Sequence, residues 1–101
     1  MKQVQTANYT SKIGWCGLGA MGSVMAPHLL TVTKYLFGYD INSEVWQNDL
    51  LRKKLQGVRH LTELAQTDTL ITMLPDGQTV SSVCEAVLDA GFSGTVIDMS
   101  S

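Results

Sequence analysis

No apolar run in the chain approaches the roughly 18 residues that cross a bilayer, and residues 1–6 lack the apolar stretch of a secretory signal. No membrane partner and a cytoplasmic setting are therefore expected. Cations are sparse as well: seven Lys and Arg stand against nine Asp and Glu, and the longest basic run is Arg52-Lys53-Lys54. Nucleic-acid binding needs a basic patch or stripe, so it is not expected, and the triplet reads as a solvated helix end. Cysteine is nearly absent. Cys16 and Cys84 lie far apart and show neither C-x-x-C nor His-flanked spacing, so both read as small buried hydrophobes rather than metal or redox groups. His28 and His60 also lack a neighbour at metal-ligand spacing, and no metal is expected.

What is present is a folded core. Hydrophobic residues make up 45% of the 101 residues, charged residues 16%, and there are only two prolines, a balance that suits one small globular domain and leaves no room for a second. Residues 1–11 are polar and aperiodic and read as a lead-in. Ile13-Gly14-Trp15-Cys16 is short and apolar, the pattern of a strand buried on both faces of a parallel sheet. Residues 20–31 place Met21, Val24, Met25, Leu29 and Leu30 at near-helical spacing, with Pro27 predicting a kink or a late start. A second strand is expected at residues 36–39. A helix capped by Asn42 or Ser43 then carries Val45, Trp46, Leu50 and Leu51 inward until Gly57 ends it.

Beyond Gly57 the reading is a short third strand at 58–60, a helical turn at 62–65, and a β-rich fourth strand at 69–74 stopped by Pro75-Asp76-Gly77. A helix over residues 78–89 turns Val80, Val83, Cys84, Val87 and Leu88 to one face, and Gly94 to Asp98 forms a fifth strand. Alternating strands and helices call for a parallel α/β sheet with right-handed crossovers, and the expected fold is a Rossmann-type, doubly wound sheet of about five strands in order 3-2-1-4-5.

Gly17-Leu18-Gly19-Ala20-Met21-Gly22 matches G-x-G-x-x-G directly after the first strand and at the start of a helix, and Asp40 ends the next strand. In that context Gly17 permits a tight turn, Gly19 lets backbone approach a pyrophosphate, and Gly22 permits close helix-to-strand packing. The helix start adds free N–H groups and a positive dipole end for phosphates. A structural glycine turn in a non-binding domain is the plainer alternative. At Asp40 a carboxylate accepts hydrogen bonds from adenosine-ribose hydroxyls and repels a 2′-phosphate, and Ile41 and Asn42 bring no cation, so NAD is expected over NADP. A helix-capping role for Asp40 stays open.

The longer string from Gly17 through Ser23-Val24-Met25-Ala26 resembles the G-L-G-x-M-G-x-x-M-A signature of β-hydroxyacid dehydrogenases, the 3-hydroxyisobutyrate dehydrogenase-like family. Met73-Leu74-Pro75 resembles that family's M-L-P after its fourth strand, and Gly94 to Ser101 resembles its G-x-x-x-D-x-S-[ST] substrate loop. The resemblance covers residues 12–101. It implies oxidation of a small 3-hydroxy acid to its semialdehyde by hydride transfer to NAD, in a homo-oligomer. It further implies that Leu74 and Pro75 lie beside the cofactor ribose, that Thr79 reaches the dinucleotide, and that Ser100 and Ser101 meet the substrate carboxylate, Ser101 also nearing the nicotinamide end. A frayed chain end is the alternative for both serines.

Two departures stand out. Thr33 occupies the position where the family places a helix-ending glycine. The family's helical domain, with its catalytic lysine, is expected to be absent, since Lys2, Lys12, Lys34, Lys53 and Lys54 all precede the substrate loop. The partial dinucleotide-binding domain at 12–101 is therefore expected to hold no catalytic residue of its own. Rival readings are an NADP-dependent relative of 6-phosphogluconate dehydrogenase and a non-catalytic nucleotide-binding module.

Overall fold

Residues 10–100 are described by the structure, a computed structural model. Five parallel strands form one sheet in the order β3-β2-β1-β4-β5, the order expected. They are β1 (Lys12–Cys16), β2 (Tyr35–Tyr39), β3 (Gln56–Gly57), β4 (Thr69–Thr72) and β5 (Thr95–Asp98). Three α-helices connect them: α1 (Ala20–Met25), α2 (Asp49–Lys54) and α3 (Gly77–Asp89). Among the described residues no helix is long and apolar enough to cross a membrane.

Strand alternation sends neighbouring residues to opposite faces, and each face has its own core. Trp15, Leu36 and Ile71 point to one side, where Leu18, Ala26, Leu51 and Leu55 cover them from α1, α2 and their flanks. Cys16 and Leu70 point to the other, against Leu64, Val83, Val87 and Phe92. The sheet is thus covered on both faces, which is why its central strands read as continuous apolar runs.

Several boundaries differ from those the sequence predicts, each for a local reason. The helix expected at 20–31 changes to a 3-10 helix over Ala26–Thr31. Pro27, with no N–H to give, sits in the first turn of that segment, where none is needed. Thr33, in place of a glycine, is fully buried and makes the turn with its side chain: its hydroxyl donates to the Ser11 carbonyl and accepts from Tyr35 N–H.

The second helix divides. Asn42 caps a 3-10 turn over Ser43–Gln47 by accepting from Glu44 N–H at 3.0 Å. Asn48 then breaks the run and caps α2, its Oδ1 accepting from Leu50 N–H at 2.9 Å and Leu51 N–H at 3.2 Å. The third strand lies at Gln56–Gly57 rather than 58–60, so Gly57 belongs to the sheet and does not end the helix. The ring of Trp46 lies over it: a Cβ on Gly57 would sit 3.0 Å from two ring carbons. The turn expected at 62–65 is a 3-10 helix over Leu61–Gln66, and β4 stops at Thr72, two residues early. Cys16 is buried as expected, whereas Cys84 is only half-buried.

Candidate functional site

The carboxyl ends of β1, β2, β4 and β5 meet at one edge of the sheet, and the site is built there. After Cys16 the chain turns at Gly17, whose φ of +109° is costly for any residue with a Cβ. A Cβ there would also lie 2.1 Å from the Met73 carbonyl oxygen. The turn is anchored to both neighbouring strands: Gly17 N–H donates to the Tyr39 carbonyl at 3.0 Å, and Met73 N–H donates to the Cys16 carbonyl at 2.9 Å. Gly22, one turn into α1, faces back on the same loop. A Cβ on it would fall 2.1 Å from the Gly17 carbonyl oxygen, so this glycine is required by close approach. Gly19 is different, for a Cβ there meets nothing within 4 Å. It faces open space at the start of α1.

Asp40, at the end of β2, binds the loop directly. Its Oδ2 accepts from Leu18 N–H at 2.6 Å and its Oδ1 accepts from Asn42 N–H at 2.8 Å. Asp40 does not cap the 3-10 helix that follows, whose cap is Asn42; it makes an Asx-type turn onto Asn42 N–H alongside its tether to the glycine loop. A carboxylate has about four lone-pair sites, so two acceptor positions remain for a ligand.

A cleft of about 370 Å³ opens beside this loop. Of the residues expected in a site, it gathers Gly17, Gly19, Asp40, Leu74, Pro75 and Thr79. Cys16, Tyr39, Ile41, Leu61, Met73 and Val83 complete the walls, and none of them is a site residue expected from the sequence. The one signal available for them was position, since Cys16, Tyr39 and Ile41 flank strand ends. Ile41 stands 91% exposed at the rim. Asp40 is the only charged residue in the lining. The Cys16 thiol is pushed up to about 12, chiefly by burial and further by the negative charge of Asp40 and by Cys84, so it stays protonated and supplies neither nucleophile nor base.

Other expected residues lie around the cleft rather than in its wall. Leu18 is buried, with its N–H committed to Asp40. Ala20 and Met21 open α1, and Met21 is largely exposed. Thr79, which does line the cleft, sits in the first turn of α3, where Asp76 Oδ1 accepts both its N–H and its hydroxyl, at 2.8 and 2.9 Å. Those bonds hold the Asp76 carboxyl below the usual carboxylate range.

Ser100 is tied down rather than frayed. Its hydroxyl oxygen accepts from Leu74 N–H at 2.7 Å, and its own N–H donates to Asp98 Oδ1 at 2.9 Å. Asp98 also accepts from the Thr72 hydroxyl at 2.9 Å. Bonds from the Ser100 side chain and backbone, then from Thr72, lower the Asp98 carboxyl. The loop after β5 is in this way bolted to the loop after β4. Ser101 lies outside the described residues.

A parallel sheet in this order, with a glycine turn after β1 that opens a helix and an acid at the end of β2, defines a nucleotide-binding Rossmann domain. Residues 12–101 match the family described as the NAD binding domain of 6-phosphogluconate dehydrogenase, and the chain belongs to that family. It is an N-terminal NAD-binding domain of the β-hydroxyacid dehydrogenase group. Among solved structures it is similar to Mycobacterium tuberculosis 3-hydroxyisobutyrate dehydrogenase with L-serine, at 30% identity and TM-score 0.78, over 90% of this chain and 32% of that one. The fold is also shared by a reductive aminase from Aspergillus terreus with NADPH, at 22% identity and TM-score 0.69, over 90% of this chain and 32% of that one. An imine reductase variant from Myxococcus stipitatus with NAD+ gives 11% and 0.75, over 91% and 32%. The chain thus spans about a third of the length of these relatives. No curated protein sequence matches it.

Proposed function

We propose that the chain binds NAD and serves an oxidoreductase that interconverts a small 3-hydroxy acid and its semialdehyde. When bound, the cofactor supplies hydride transfer at its nicotinamide ring. The single observation that carries the NAD assignment is the Asp40 carboxylate, held beside the glycine loop with no cation at positions 41 or 42. Its free lone pairs suit ribose hydroxyls, and its charge opposes a 2′-phosphate. The open space over Gly19 and the unpaired first N–H groups of α1 suit the pyrophosphate. Leu74 and Pro75 would flank the ribose, and Ile41 with Leu61 would cover the adenine.

The solved neighbours carry either cofactor, so the preference needs its own test. Titration is expected to show NADH binding at least about tenfold tighter than NADPH, a difference of 1.4 kcal/mol. Equal affinities would remove Asp40 from the ribose.

Substrate class rests on the likeness to 3-hydroxyisobutyrate dehydrogenase and on Ser100, which lies where open α/β sheets place their ligands. Ser101 next to it is proposed to share that contact. The NADP-dependent phosphogluconate rival is disfavoured by the same Asp40.

Self-association belongs to this reading. All four residues of β5 are exposed, one edge of that strand is unpaired, and Val96, Ile97 and Leu88 add apolar surface. Sedimentation at about 100 μM is expected to show dimer or larger species, and a purely monomeric boundary would refute this part.

A further inference from the structure

The Trp15 indole is the one side-chain donor bonded inside the glycine turn, and nothing in the motif calls for it. Trp15 is 1% exposed among Leu18, Ala26 and Leu36, and its Nε1–H donates to the Gly17 carbonyl oxygen at 2.7 Å. Gly17's positive φ swings that carbonyl out of the β-ladder, so it needs another partner. A buried indole N–H needs one equally. The two groups satisfy each other across two residues, and the bare Cα of Gly22 leaves the space: a Cβ there would press on both the carbonyl oxygen, at 2.1 Å, and Nε1, at 3.2 Å.

The same peptide is held at its other end. Its carbonyl belongs to Gly17 and its N–H to Leu18, and the latter donates to Asp40 at 2.6 Å. One peptide plane is therefore locked by a side chain from β1 and a side chain at the end of β2. The next N–H groups, those of Gly19 and Ala20, begin α1 without intrahelical partners. Their direction follows from the orientation of the locked plane.

We propose that Trp15 is a positioning residue for dinucleotide binding: its indole N–H holds the Gly17 carbonyl and so aims the Gly19 and Ala20 N–H groups at the pyrophosphate. Trp15 touches no ligand itself. The proposal rests on the dinucleotide-binding reading above and adds to it a group on the core side of the sheet. Its signature is selectivity, because loss of the indole N–H affects ligands in proportion to what they ask of the turn. A pyrophosphate asks for those N–H groups, whereas adenosine alone asks only for the cleft around Asp40 and Ile41.

Trp15→Phe keeps a buried ring and removes only the donor. In the 101-residue chain this variant is expected to bind NADH about tenfold more weakly while adenosine affinity, followed by NMR shifts, stays within about twofold. Trp46→Phe is the control, since that ring packs over Gly57 and Gly38 on the same core without a hydrogen bond to the Gly17 carbonyl. It is expected to leave both ligands within about twofold. Wild-type protein gives an independent readout that needs no variant: the Trp15 indole proton shifts on NADH addition and stays in place with adenosine. Unchanged NADH affinity in Trp15→Phe, or equal weakening of both ligands, overturns the positioning role. An indole proton indifferent to NADH overturns it too. If the wild-type chain binds no NADH, the dinucleotide reading itself falls and takes this role with it.

Discussion

Gly22→Ala is expected to cost the chain both its stability and its ligand, while Gly19→Ala costs it the ligand alone. A methyl on Gly22 would stand 2.1 Å from a backbone carbonyl that Trp15 holds in place, and backbone has nowhere to retreat. Either α1 moves off the sheet or the 17–18 peptide turns over. Overpacking of this kind costs about 1–3 kcal/mol and at times more, enough to lower the melting temperature of a domain this size by about 10 °C. NADH affinity is expected to fall by more than about a hundredfold, because the N–H groups proposed to receive phosphate leave with the helix.

Gly19 lies under the same motif letter but in another environment. Its Cβ would touch nothing in the protein, so the melting temperature of Gly19→Ala is expected to stay within about 2 °C. The added methyl fills the space a pyrophosphate would take, and NADH affinity is expected to drop at least about tenfold. Thermal melts and NADH titrations on the two variants separate the roles. A Gly22→Ala protein of wild-type stability, or a Gly19→Ala protein of wild-type affinity, would contradict the assigned roles.

The second large effect concerns turnover. Offered a small 3-hydroxy acid and NAD, the 101-residue chain is expected to show no measurable NADH formation, although it binds the cofactor. Oxidation of the hydroxyl needs a group within hydrogen-bond reach to take its proton, and a positioned base contributes about 10²–10⁴ in rate. The cleft lining holds one thiol and one carboxylate, and both are unsuited. Cys16 is buried with its thiol held protonated, and Asp40 is assigned under the proposed reading to the adenosine ribose, away from the nicotinamide where a hydroxyl proton would leave. Asp98 and Ser100 are bonded to each other and to the β4 end. Orientation of substrate against the nicotinamide adds several kcal/mol more. NADH absorbance, followed beside a full-length relative, measures this. Turnover within about tenfold of that relative would place the proton-transfer group inside residues 1–101.

The parts of this site that sequence made legible are those where one residue type has one physical use. Glycine at 17, 19 and 22 after an apolar strand announces a phosphate turn, and an acid at the end of the next strand announces a ribose partner. The parallel sheet followed from alternation and the right-handed crossover rule, and its strand order from the Rossmann-type assignment. What stayed hidden depends on distant contacts. Asn48 divides the second helix because its side chain outcompetes the next turn, a choice periodicity does not record. Gly57 looks like a helix stop until Trp46 covers it. Leu61 and Val83 reach the cleft from segments 20 and 42 residues beyond Ile41, so only the folded sheet brings them to one wall. Asp40 is the instructive middle case: its position was legible, but its bond to Leu18 N–H was not, and that bond joins the end of β2 to the glycine turn.

The most direct measurement is an NMR titration of the isotopically labelled 101-residue chain with NADH, read residue by residue. The account predicts saturable one-to-one binding whose largest amide shifts fall at Gly17, Gly19, Ala20, Asp40, Ile41, Leu74 and Thr79, with smaller shifts at the sheet's opposite edge. A folded chain that shows no saturable shifts up to about 1 mM NADH, where binding would be weaker than about −4 kcal/mol, or whose shifts cluster away from the ends of β1, β2 and β4, would contradict it.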